Sequence, residues 1–164
     1  MKKTILLHKD VYMPKWMQSK VRKVLNKYKR FVLSKHVKEH AALDNDRSHR
    51  YVLSKLNESI EYLLEHVSSC DDAFEIEMTQ FDYPYPHWLI TKVCIRTRYD
   101  DDQDVCLSIR TAKDMNTNVY LPDVALIVTA WLNHKNDSHR TLESSKYLDE
   151  KEFKITFYNQ NTAC

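Results

Sequence analysis

The chain of 164 residues contains no glycine. Glycine lets the backbone approach phosphate without a Cβ, as P-loops, Rossmann turns and other glycine-rich nucleotide cradles require. Those sites are therefore excluded, and binding of an ATP-type ligand is not expected. Tight turns between strands must use asparagine or aspartate instead, and the segments DDDQD (100–104) and NHKND (133–137) have that composition.

Long apolar runs and paired cysteines are also scarce. No stretch approaches the roughly 18 consecutive apolar residues of a membrane span. The N-terminal MKKTILLHKDVYMPK contains only a short apolar run, so neither a signal peptide nor a membrane partner is expected. The four cysteines lie far apart, without the CxxC or Cys/His spacing of a zinc site. We therefore expect a cytoplasmic protein with reduced thiols, no metal and no cofactor.

Charge is unevenly distributed, although the formal net charge is only +2. Residues 1–40 carry 12 lysines and arginines against 2 acidic residues, which gives this segment a charge of +10 and the remainder −8. Such asymmetry is typical of proteins that contact nucleic acid or another acidic partner, although it says nothing about fold. The alternative is that a basic helix face docks on the acidic half of the same chain.

A helical periodicity dominates the first quarter of the chain. Between Pro14 and Leu43, apolar residues recur at helical spacing and basic side chains occupy the remaining surface. We therefore predict a basic helical arm over residues 1–43, either one helix or two with Ser34 capping the second. Another clean apolar stripe predicts a helix over residues 48–69.

The periodicity then changes to the alternation that is typical of β-strands. Segments rich in β-branched and aromatic residues lie at 74–80, 88–98, 104–110, 123–133 and 153–158. The proline-bearing FDYPYPH (81–87) predicts a loop. Helices followed by strands predict an α+β fold, with N-terminal helices packed on a four- to five-stranded, mostly antiparallel sheet over residues 74–158. The length suits a single domain, 1–164.

Arginines stand on two of the predicted strands. Strict alternation in WLITKVCIRTR places Arg96 and Arg98 on one face, and Arg110 closes the next strand. Neighbouring guanidinium groups make a cationic surface that suits phosphate, because each planar fork donates two hydrogen bonds at once. The alternative is that these arginines pair with the acidic residues of EIEM (75–78) and of the DDDQD turn.

Histidines are numerous for this length, and they cluster at His36 and His40, at His49, and at His134 and His139. Histidine titrates near neutrality and can act as general acid or base in phosphodiester cleavage. Each of these histidines can equally be an ordinary polar surface residue. The spacing of the first pair would allow a metal, but no glutamate stands at the position that HExxH requires, so no metal site is expected.

The most distinctive segment is LIVTAWLNHKNDSHRTLESSKY (126–147), a buried strand followed by a polar turn and a polar exit. Hydroxyl, amide, imidazole, guanidinium and phenol groups would face one cleft at the end of this strand. They belong to Thr129, Asn133, His139, Arg140 and Tyr147.

Three segments together resemble the barnase/EndoU/colicin/RelE-type group of small metal-independent ribonucleases. They are FVLSKHVKEH, KVCIRTR, and ALIVTAWLN with the DSHRTLESSKY that follows it, within residues 31–147. The resemblance implies RNA as substrate, His36 or His139 as acid and base, and Arg96 or Arg98 stabilising the pentavalent phosphate. It also implies that Thr129 orients the scissile phosphate. The long basic arm and the acidic turn depart from the family pattern.

The leading hypothesis is therefore a toxin-like, metal-independent endoribonuclease from a phage or mobile element. Basic side chains would steer it to RNA by counterion release. They are Lys20, Arg22, Lys23, Lys27, Lys29, Arg30, Arg110 and Arg140.

Two other hypotheses remain open. One is a non-catalytic phage protein that occupies the nucleic-acid groove of a host nucleoprotein complex, as inhibitors of CRISPR nucleases do. Its acidic residues would imitate phosphates, and the candidates are Asp71, Asp72, Glu75, Glu77 and the aspartates of residues 100–104. The other is a DNA-binding regulator whose arm enters a groove.

Overall fold

A computed structural model describes residues 3–43, 73–98, 101–137 and 144–158. The helix predicted at 48–69 lies outside these residues, as do His49, His139 and Arg140. The described elements, in chain order, are β1 (Thr4–His8), α1 (Lys15–Leu25), β2 (Arg30–Leu33), α2 (Lys35–Leu43), β3 (Ala73–Phe81), β4 (His87–Arg98), β5 (Gln103–Lys113), β6 (Tyr120–His134), a 3₁₀ turn (Ser144–Lys146) and α3 (Glu150–Phe157).

The strands form one six-stranded sheet in the order β1-β3-β4-β5-β6-β2. Strands β3 to β6 make an antiparallel meander, and β1 joins its first strand in antiparallel orientation. Strand β2 runs parallel to β6 at the other edge, where Phe31 lies opposite Ala125 and Leu33 opposite Ile127. The four strands predicted between residues 74 and 133 are thus confirmed, each extended by one to three residues at one end or at both.

The predicted architecture, with N-terminal helices packed on a four- to five-stranded antiparallel sheet, is wrong. The sheet is mixed, has six strands, and takes both edge strands from the segment predicted to be a helical arm. The edge strands TILLH and RFVL are short, so their few apolar residues fit a helical period as well as an alternating one. The pairing partners that decide between the two lie far away in sequence.

The strand predicted at 153–158 is also wrong, because this segment belongs to α3. Asp149 caps the helix by accepting from the Glu152 amide at 2.8 Å, and the Glu152 carboxylate accepts from the Asp149 amide at 3.1 Å. This reciprocal capping box specifies a helix start. Phe153 and Phe157, four residues apart, then share one face and contact each other with ring centroids 4.5 Å apart.

Helix α1 crosses one face of the sheet, because β1 and β2 lie at opposite edges and α1 connects them. It buries Met17, Val21 and Leu25 in the main core, which Phe153 of α3 completes. The opposite face of the sheet carries a smaller buried cluster of Phe74, Cys94 and Cys106, with Trp131 packed against it. No helix in the described ranges is long and apolar enough to cross a membrane.

Candidate nucleic-acid interface

A stripe of exposed side chains runs along the solvent side of α1. Trp16, Lys20 and Lys23 recur at i, i+4 and i+7, a spacing that places them on one helix face. The Lys20 ammonium lies 5.2 Å from the centroid of the Trp16 ring, which remains 40% exposed. The indole is thus accessible to a ligand, and it makes a cation–π contact with Lys20.

The stripe continues into the connection between α1 and β2. Lys27, Lys29 and Arg30 are exposed, whereas Tyr28 between them is buried. The Tyr28 hydroxyl lies 2.9 Å from Thr111 Oγ1, and burial raises the pKa of this phenol, so the group stays protonated in its hydrogen bond. This anchor fixes the backbone that presents the neighbouring cations to solvent.

We define the basic surface as Lys20, Lys23, Lys27, Lys29 and Arg30. Within the ranges that the structure describes, none of these five forms an ion pair with a carboxylate. Arg22, predicted to belong with them, is half-buried on α1 and does not point outwards with the rest.

Arg96 lies in a different environment from the one that phosphate binding requires. Its Nε donates to Asp104 Oδ2 at 2.9 Å, and its Nη2 also contacts that oxygen. The same guanidinium donates to the carbonyls of Asp137 at 2.7 Å and Lys135 at 3.1 Å. Because both Arg96 and Asp104 are buried, this pair fastens the turn that follows β6 to the sheet.

The other two strand arginines are also engaged by acidic residues. Arg98 Nε lies 2.9 Å from Asp104 Oδ1, although 55% of the Arg98 side chain is exposed. Arg110 Nη2 lies 3.6 Å from Glu77 Oε1. The pairing with EIEM and the DDDQD turn, the alternative weighed from the sequence, is therefore the arrangement in the structure.

Glu75 and Glu77 form the centre of a polar network on the sheet face opposite α1. Lys92 Nζ lies 4.0 Å from Glu75 and 3.8 Å from Glu77. The Tyr147 hydroxyl donates to Glu75 at 2.6 Å, and the Thr91 hydroxyl donates to Glu77 at 2.9 Å. These carboxylates are thus satisfied inside the protein.

The remaining predicted groups lie in two regions. His36 is exposed near the start of α2, and the Ser34 hydroxyl just before this helix donates to the Val128 carbonyl at 2.9 Å, next to the half-buried Thr129 on β6. Tyr147 forms a bridge with Leu6 at the β1 edge, the other side of the sheet. Of the described members of the predicted cleft, Tyr147 and Thr129 are therefore attached to different parts of the sheet. His139 and Arg140 lie outside the described residues.

Metal chemistry has no candidate group in the described ranges, where no three His, Cys, Asp or Glu residues are placed to hold an ion. Comparisons with known proteins add no relative: no family model matches the chain, and neither the curated proteins nor the solved structures contain a significant match.

The two described thiols are structural. Cys94 and Cys106 are buried and not joined in a disulfide, and burial is the main reason that the pKa of each is raised to about 12. Since the thiolate is the reactive form, we expect N-ethylmaleimide at neutral pH to leave both thiols unmodified in the native protein and to modify both in denaturant. Peptide mass spectrometry after alkylation reads out each site. Rapid native labelling of either cysteine would contradict this assignment.

Proposed function

We propose that this chain binds RNA in a cytoplasmic setting, with the basic surface as the principal contact. The observation that carries the proposal is a contrast in pairing. The five cations of the basic surface have no carboxylate partner in the described part of the chain, whereas Glu75, Glu77 and Asp104 are each held by cations of the protein. Charge complementarity to a polyanion is therefore concentrated on α1 and the start of β2.

The same contrast weakens the alternative of a phosphate-imitating inhibitor of a host nucleoprotein complex. A phosphate mimic needs carboxylates that face solvent, yet Glu75 and Glu77 retain only 15% and 16% of their side-chain exposure. The Lys92 ammonium lies within 4.0 Å of both carboxylates, and Arg110 also pairs with Glu77. Of the candidate phosphate-imitating residues, Glu75, Glu77 and Asp104 thus pair within the sheet, Asp101 and Asp102 are exposed, and Asp71, Asp72 and Asp100 lie outside the described residues.

The described residues support RNA binding more directly than they support RNA cleavage. Arg96, one of the two arginines that the ribonuclease resemblance assigns to the phosphate, already donates to Asp104 and to two carbonyls. A cleavage step would depend on exposed groups such as His36 and Arg98. Incubating the protein with RNA in EDTA, beside a His36→Ala variant, tests this step: histidine-dependent fragments that persist in the chelator would support metal-independent cleavage.

The binding proposal predicts a steep dependence of affinity on salt. For single-stranded RNA the slope of log K against log salt is about −0.7 for each phosphate contacted, so a triple Lys20→Gln, Lys23→Gln, Lys27→Gln variant should flatten it by about 2. Fluorescence anisotropy with labelled RNA, repeated over a range of potassium chloride concentrations, measures both slopes.

A matched control removes the same charge elsewhere. Lys146, Lys151 and Lys154 are exposed around α3, and changing all three to glutamine lowers the net charge equally. We expect this control to keep a slope close to that of the wild type. Equal loss in the two triple variants would show that only net charge matters and would contradict the assignment to the basic surface.

A further inference from the structure

Two hairpin tips lie at the same end of the sheet. Because β3 to β6 form an antiparallel meander, the β3–β4 tip (82–86) and the β5–β6 tip (114–119) both turn at one end. The basic surface reaches this end as well, since the Lys29 amide donates to the Asp123 carbonyl at 2.8 Å and Arg30 lies opposite Val124.

These tips present the most exposed large apolar side chains in the described structure. The exposed fraction ranges from 54% to 94%. The residues are Tyr83, Tyr85, Met115, Val119 and Tyr120. Exposed apolar groups that lie at one end of a sheet are candidates for a binding surface.

The Tyr85 ring at the β3–β4 tip is held in position. Tyr85 packs on His87 with ring centroids 5.3 Å apart, and His87 stacks on Phe81 at 6.0 Å with an interplanar angle of 27°. The His87 Nδ1 atom also lies 2.6 Å from the Tyr85 carbonyl oxygen. One side of Tyr85 is thus supported by the protein while 66% of the residue remains exposed.

The β5–β6 tip is ordered by Asp114. Its carboxylate accepts from the amides of Asn116 at 2.8 Å and Thr117 at 3.1 Å, and these backbone hydrogen bonds lower its pKa. Asn118 closes the turn at φ 59°, in the left-handed region that asparagine tolerates better than most residues. A tip held in this way presents Tyr120 with little ordering left to occur on binding.

Cations accompany the exposed rings. Lys113 Nζ lies 4.7 Å from the centroid of the Tyr120 ring, and Lys29 and Arg30 enter the same end of the sheet from β2. Asp82 and Asp123 are the exposed carboxylates nearby in sequence. Aromatic faces beside cations match the two chemical parts of a single nucleic-acid strand, its bases and its phosphates.

We propose that Tyr83, Tyr85 and Tyr120 form a stacking platform for unpaired bases of single-stranded RNA. The inference rests on the proposed function, and it adds the class of RNA and the residues that select it. Bases inside a duplex already stack on each other, so they cannot lie on these rings unless the duplex opens. The platform therefore selects unpaired strands, while the basic surface attracts either form.

Three labelled probes separate the two contributions. They are an oligouridine of about 12 nucleotides, a duplex RNA of the same length, and an abasic strand with the same number of phosphates. We expect the wild type to bind the oligouridine more tightly than the other two. Tyr83→Ala, Tyr85→Ala and Tyr120→Ala should each weaken oligouridine binding by about 5-fold or more, with the salt slope and duplex binding unchanged.

Two sets of controls make the result specific to stacking. Phenylalanine at each position keeps a ring, so Tyr83→Phe, Tyr85→Phe and Tyr120→Phe should retain most of the affinity. Tyr158→Ala removes a tyrosine outside both tips, 48% exposed at the C-terminal end of α3, and should bind like the wild type.

The outcomes distinguish this inference from the proposed function. If oligouridine, duplex and abasic strand bind equally, or if the alanine variants bind oligouridine normally, the platform is overturned while salt-dependent binding by the basic surface stands. If the wild type binds no probe at low salt, both proposals fail.

Discussion

Replacing Asp104 by asparagine is expected to lower the free energy of unfolding by about 3–5 kcal/mol, because it removes the only carboxylate from a buried ion pair. The change preserves the shape of the side chain. It leaves the buried positive charge of Arg96 with neutral hydrogen-bond acceptors alone, namely the new asparagine amide and the carbonyls of Lys135 and Asp137. Arg98 loses its partner at the same time. Urea denaturation followed by tryptophan fluorescence measures the loss.

Arg98 offers a matched control on the same carboxylate. Since 55% of its side chain is exposed, solvent screens its interaction with Asp104, and Arg98→Gln should cost about 1 kcal/mol or less. Comparable losses from Asp104→Asn and Arg98→Gln would contradict the dominant role that we assign to the buried pair.

Measurements of stability also test whether Arg96 has a catalytic or a structural role. A catalytic arginine in a ribonuclease can be lost with little effect on folding, whereas the arginine in this structure joins β4 and β5 to the turn after β6. Arg96→Lys keeps the charge but cannot reproduce the planar fork, so we expect it to reduce stability. A stable Arg96→Lys protein that loses RNA cleavage would restore the catalytic assignment.

The long strands were predictable from sequence, and the edge strands were not. Strands β3 to β6 contain enough alternating positions for their period to be read within one segment. Strands β1 and β2 have five and four residues, and each is specified by partners distant in the chain. Residues Phe31 and Val32 therefore continued the apparent helical stripe of α1 equally well.

The candidate interface was also predictable only in part. Lys20 and Lys23 could be identified from sequence because exposure of lysine on an amphipathic helix follows from local periodicity, whereas Lys27, Lys29 and Arg30 lie beyond the end of that helix. The role of Arg96 depends on register, which places Asp104 opposite Arg98 on the adjacent strand and within reach of Arg96. The sequence alone allowed two hypotheses for these arginines, either binding of phosphate or pairing with carboxylates of the chain. Trp16 was overlooked, although its spacing of four residues from Lys20 is a local signal.

Phe153→Ala is expected to destabilise the protein by about 3–5 kcal/mol, the range for removing a fully buried phenylalanine. Phe153 is completely buried, and its ring lies 5.2 Å from Tyr12, 5.8 Å from Trp16 and 4.5 Å from Phe157. Its removal leaves a cavity between α3 and the start of α1. Urea denaturation measures the loss of stability.

Ile155→Ala provides the control on the same helix, because Ile155 is 51% exposed and should cost about 1 kcal/mol or less. The ring of Phe153 also packs against Trp16, and the Lys20 ammonium lies over the Trp16 indole. Phe153→Ala should therefore weaken RNA binding under conditions where the variant is still folded, whereas Ile155→Ala should leave binding unchanged. A folded Phe153→Ala protein with normal affinity would show that RNA binding does not depend on the support that Phe153 gives to Trp16.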